Sequence, residues 1–192
     1  MPDLRPVFFV IGLMIAILGL TMFIPMGVDL AFEGRSWRAF AVSGILTSLF
    51  GAALSLANYT PKPDLRARGA FLLTVASWVA LSAFSSIPFI MEPVGLSVTD
   101  AFFEATSGIT TTGATILTGL DDLPKGVLLW RAILQWIGGI GIVVTAMAVL
   151  PMLKVGGMQL FRLESSDMGE KILPRAASIA AAISLIYLRS GR

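Results

Sequence analysis

Residues 97–116 hold the most distinctive arrangement of polar groups in this chain. Thr110-Thr111-Thr112-Gly113-Ala114-Thr115 puts four hydroxyls and one glycine into six consecutive positions. Such a run suits cation coordination, in which backbone carbonyl oxygens replace an ion's hydration shell. To aim successive carbonyls at one axis, the backbone must alternate between ordinary and mirror-image conformations. Glycine enters the positive-φ region without steric cost, and threonine adds further oxygens on stiff rotamers. Taken alone, the run reads more simply as a turn between helices. Its setting decides between the two.

Ser97-Val98-Thr99-Asp100 has the Ser-x-x-Asp form of a helix start, with Asp100 and Glu104 in the first turns. A helix over 98–107 would run ~15 Å at 1.5 Å per residue, about half of a ~30 Å hydrocarbon core. The Thr/Gly run follows directly. Irregular backbone at membrane depth is tolerated only where protein buries it or where it lines a wet cavity, so a re-entrant loop is predicted.

The elements around that loop are membrane spans. Of the 192 residues 56% are apolar and 14% charged, against about 45–50% and about 25% in soluble domains. Residues 6–28, 39–57 and 69–91 contain no Asp, Glu, Lys or Arg, and each is near the ~20 residues that cross a bilayer. The expected helices are 6–28, 37–57, 69–91 and 126–153, with a polar loop over 29–37 and a shorter apolar run over 176–188. The first segment is too long for the core of a signal peptide and has no A-x-A-like exit, so it reads as a retained helix. Loop 58–68 holds Lys62, Arg66 and Arg68, and linker 154–175 holds Lys154, Arg162, Lys171 and Arg175. Loop 92–125 holds only Lys125, and the 29–37 side contributes Arg35 and Arg38. The positive-inside rule therefore predicts a cytoplasmic amino terminus and an outward-facing 92–125 loop.

Composition also excludes functions. With no Cys and no His, there is no disulfide, thiolate nucleophile, Ser–His–Asp catalysis or HExxH zinc site. A net charge of +2 is too balanced for a nucleic-acid binder.

Asp100-Ala101-Phe102-Phe103-Glu104-Ala105-Thr106-Ser107-Gly108, with the threonine run after it, resembles the first pore repeat of the TrkH/KtrB-type potassium-uptake family. The resemblance continues through Leu123-Pro124-Lys125-Gly126, Trp130-Arg131 and Gln135-Trp136-Ile137-Gly138-Gly139-Ile140-Gly141. It also takes in Leu150-Pro151-Met152 and Val155-Gly156-Gly157-Met158-Gln159-Leu160-Phe161-Arg162. It implies an all-α integral membrane fold: a leading transmembrane pair (1–68), then a helix–re-entrant pore loop–helix repeat (69–153). A cytoplasmic linker (154–175) and the start of the outer helix of a truncated second repeat (176–192) would follow. It further implies K⁺ uptake across a bacterial inner membrane, with the carbonyls of Thr111, Thr112, Gly113 and Ala114 as ion ligands and Thr110 flanking. No covalent cofactor is implied. The implied partners are a cytoplasmic TrkA-type nucleotide-binding subunit and, for the full-length protein, a second copy in a homodimer. The family carries four repeats, so one repeat supplies a quarter of a filter ring.

Several other residues leave alternatives open. Arg131 and Gln135, four apart on one helix, could support the filter through Glu104 or Asp100, or Arg131 could reach the outer interface instead. Asp121-Asp122 could draw cations to the mouth, although a solvated acid pair is the simpler reading. Gly138, Gly139 and Gly141 suit close helix packing or a hinge. A non-conducting scaffold and a membrane-embedded enzyme stand as rival functions. The inner loops offer Asp64, Glu164, Asp167 and Glu170 without the repeated carboxylate spacing that an enzyme would need.

Overall fold

Two prolines decide where the first and third spans break. In the computed structural model, which describes residues 4–60, 67–91 and 93–149, the first span is α1 (Arg5–Thr21) followed by α2 (Phe23–Ala31). Pro25 has no N–H to give the Thr21 carbonyl, and its ring crowds that oxygen. The chain responds with a tightened turn at Met22, whose N–H reaches Gly19. The third span is likewise α4 (Ala67–Ser85) and α5 (Ile87–Ile90), with Pro88 in the first turn of α5. Phe89 donates to the Ser86 carbonyl at 3.0 Å, which leaves the Ser85 carbonyl without its helical partner.

The remaining elements are α3 (Trp37–Ala57), α6 (Val98–Ile109), a single 3₁₀ turn (Leu120–Asp122) and α7 (Lys125–Val149). Among the described residues, four stretches are long and apolar enough to cross a membrane: Arg5–Ala31, Trp37–Ala57, Arg68–Ile90 and Lys125–Val143. No strand occurs among the described residues. The first helix thus extends beyond residue 28, and Asp29, expected in a polar loop, lies inside α2. The pore helix is two residues longer than expected. The ends of the fourth helix at Pro151, the 154–175 linker and the 176–188 run lie outside the described residues.

The chain divides into two compact units, Met1–Gly139 and Ile140–Arg192, and the packing that follows belongs to the first. α1 and α3 meet through glycines seven apart on each helix. A Cβ at Gly12 would come 2.5 Å from the Ser55 nitrogen and 2.8 Å from the Gly51 oxygen, so these backbones touch as small-residue membrane contacts allow. A second cluster joins Met22, Phe40, Phe89, Ala101, Ala105, Ile109, Trp130 and Leu134. Trp130 is fully buried, meets Phe40 edge-to-face at 6.2 Å, and donates its indole N–H to the freed Ser85 carbonyl at 3.1 Å.

Candidate ion filter

The site begins with the helix that precedes it. Ser97 caps α6 by accepting the Asp100 N–H at 3.1 Å, as a serine N-cap should. At the other end the helix closes in a Schellman motif. The Thr111 N–H reaches the Gly108 carbonyl and the Thr112 N–H reaches the Ser107 carbonyl, both at 3.0 Å. The left-handed residue that this motif requires is usually glycine; here it is Thr111, at φ +57°. Gly113 takes the next positive value, φ +78°, two residues on. A Cβ at Gly113 would meet nothing within 4 Å. Glycine is therefore needed there for its backbone, not for space.

Side chains hold the segment on its helix side. Thr110 Oγ1 donates to the Thr106 carbonyl, which leaves Thr112 Oγ1 to donate to Thr110 Oγ1, each at 2.8 Å. Ser107 Oγ donates to the Ala114 carbonyl at 2.6 Å. Glu104, only 2% exposed, is the hub of the site. Its carboxylate accepts the Thr115 hydroxyl at 2.9 Å, the Ile116 N–H at 3.1 Å and Arg131 Nε–H at 2.6 Å. A buried carboxylate needs such a complement of donors and a counter-charge. Thr115 is itself fixed by the Leu117 N–H at 3.1 Å.

Residues Thr110, Thr111, Thr112 and Gly113 are exposed, and their carbonyls accept no hydrogen bond from any described residue. The Ala114 oxygen differs from its neighbours in the expected ligand set, because it already accepts the Ser107 hydroxyl with one of its two lone pairs. Gln135, one turn beyond Arg131, is exposed and makes no hydrogen bond to this network among the described residues. Arg131, by contrast, reaches back to Glu104, as helical side chains lean toward the amino end. Asp121 and Asp122 are exposed in the 3₁₀ turn. Among the described residues no three metal-ligating side chains cluster.

α7 lies directly behind the pore helix. Gly108 faces Leu134, and a Cβ at Gly138 would overlap the Ile109 carbonyl, so Gly138 is a close-packing position. Sequence reasoning missed Asp29. It is fully buried and its carboxylate accepts the Ser36 N–H at 2.9 Å, the Ser36 hydroxyl and the Gly126 N–H at 2.6 Å. Only the position of an acid at the end of an apolar span hinted at it, and nothing local links it to a residue 97 positions away.

Capped half-length helix, irregular polar segment and flanking spans together define an all-α, multi-pass membrane protein with a pore-loop repeat. A family model described as TrkH, cation transport protein, matches residues 36–190. The Trk system potassium uptake protein TrkH of Escherichia coli K12 is 42% identical over 187 residues, which cover 96% of this chain and 39% of that protein. The Trk system potassium uptake protein TrkI of Halomonas elongata is 43% identical over 183 residues, 95% of this chain and 37% of that protein. The crystal structure of the potassium transporter TrkH from Vibrio parahaemolyticus superposes with a TM-score of 0.81 at 38% identity, covering 97% of this chain and 37% of that one. This chain belongs to the TrkH family of cation transport proteins. It spans about two fifths of the length of these relatives.

Proposed function

We propose that the chain supplies the leading helix pair and one of four pore segments of a potassium-uptake protein in a bacterial inner membrane. Its amino terminus is cytoplasmic in this reading, and loop 92–125 faces outward. K⁺ sheds water onto the carbonyls of Thr111, Thr112, Gly113 and Ala114, with Thr110 at the edge. No covalent chemistry takes place and no catalytic residue or cofactor takes part. The observation that carries the reading is the row of carbonyls from Thr110 to Gly113 that accept no hydrogen bond from any described residue, on an exposed segment whose other side is pinned through Ser107, Glu104 and Thr106. The carboxyl end of α6 points its partial negative charge into the same place. A closed ring needs four such segments. A TrkA-type nucleotide-binding subunit on the cytoplasmic 154–175 linker and a homodimer of the full-length protein complete the proposal.

The test is complementation of K⁺-uptake-deficient cells at limiting external K⁺ by the gene product that contains this chain. Gly113→Asp puts a side chain at φ +78° and a carboxylate beside the ions. Rescue by the parent and loss of rescue in the variant is the expected result. A variant that reaches the membrane in normal amount and rescues like the parent overturns the filter assignment.

A further inference from the structure

We infer that Asp29 is a positioning residue for the filter segment, through which the leading helix pair sets the place of α7 and so of the Glu104–Arg131 pair. Burying a carboxylate is costly unless donors surround it, and Asp29 has three from two different elements. Two come from Ser36, at the entrance to α3, and one is the Gly126 N–H in the first turn of α7, where the helix dipole favours negative charge. The fit leaves no slack. A Cβ at either Gly34 or Gly126 would stand 2.6 Å from the Asp29 carboxylate, so only glycine allows this approach. Lys125 Nζ, 3.9 Å from the centre of the Phe32 ring, adds a second tie between the end of α2 and the start of α7.

From this anchor an unbroken line of contacts leads to the filter. Trp130, one turn past Gly126, is gripped by Phe40 and the Ser85 carbonyl. Arg131, the next residue, bonds Glu104, which holds Thr115 and Ile116. A shift of α7 by about 1 Å along this bond would stretch the 2.6 Å Arg131–Glu104 contact past hydrogen-bond reach. Packing alone could seat α7 against the apolar cluster. The buried charge defines its axial position.

The test measures hydrogen–deuterium exchange of the chain in lipid nanodiscs, comparing the parent with Asp29→Asn. Loss of the carboxylate is expected to speed exchange of the Ile116 amide by about tenfold or more, as befits a weakened bond to a charged acceptor. Amides in the middle of α3 should not change. Gly126→Ala keeps the charge but displaces the helix start and should do the same. Ser36→Ala removes one hydroxyl donor and carries the test if both other variants fail to fold. Faster exchange confined to Ser36 and Gly126, with Ile116 unchanged, overturns the inference. A second arm rests on the proposed transport function. In K⁺ uptake by the gene product, Asp29→Asn should raise KM and lower discrimination against Na⁺. A fall in Vmax in step with membrane abundance, with KM unchanged, would mark a role in folding only and count against positioning. Absence of K⁺ uptake in the parent refutes the transport reading, while the exchange result still decides the role of Asp29.

Discussion

Replacing Glu104 and Arg131 singly and together measures how much the buried pair contributes to holding the filter. Glu104→Gln keeps the shape, but its amide presents two N–H groups where the carboxylate only accepted. At least one of Thr115 Oγ1, Ile116 N–H and Arg131 Nε–H then loses its acceptor. A hydrogen bond to a charged group contributes about 1.5–3 kcal/mol. Arg131 keeps 17% of its side chain exposed and can turn partly toward water, which places the loss at about 2–3 kcal/mol rather than the ~3–5 kcal/mol of a fully buried broken pair. Arg131→Met leaves Glu104 buried, at 1% side-chain exposure, without its counter-charge, and should cost about 3 kcal/mol or more. With both changes no uncompensated charge remains, and the double variant should cost less than the sum of the singles by about 1.5–3 kcal/mol. Reversible denaturation in mixed micelles reads all three values. A coupling below about 0.5 kcal/mol, the range of independent sites, would refute the claim that these two side chains act as one unit.

Two further substitutions probe the backbone. Thr111→Gly places glycine at the left-handed position of the Schellman motif and removes an unfavourable conformation of about 1–2 kcal/mol; the denaturation midpoint should rise, and K⁺ affinity should fall because the glycine loosens the segment in the ion-free state. An unchanged or lower midpoint would mean that Thr111 is not strained. Gly138→Ala drives a methyl into the Ile109 carbonyl and should destabilise by about 1–3 kcal/mol, whereas Gly139→Ala, with nothing within 4 Å of its Cβ, should be near neutral. Equal effects of the two in the same denaturation assay would contradict the close approach of α7 to the pore helix.

The membrane class, the four spans and the half-length capped helix were legible in the chain because each rests on local properties. A bilayer imposes a length on any charge-free run, a Ser-x-x-Asp start satisfies orphan N–H groups within one turn, and a lone glycine among threonines marks a backbone that must reach positive φ. The pairing of Glu104 with Arg131 was one of two local options, which spacing alone left open. What folding alone decided concerns groups that are far apart in the chain or turned by a single dihedral angle. Asp29 reads as a loop acid until Pro25 reshapes the first span and the fold places the Gly126 N–H over it. The tie from Ser107 to the Ala114 carbonyl, seven residues on, has no signal in the sequence. Gln135 shares a helix face with Arg131 on paper, yet it is exposed and makes no hydrogen bond to the network among the described residues. Hydropathy and capping are properties of neighbouring residues. The aim of a carbonyl and the partner of a buried charge exist only once the helices have packed.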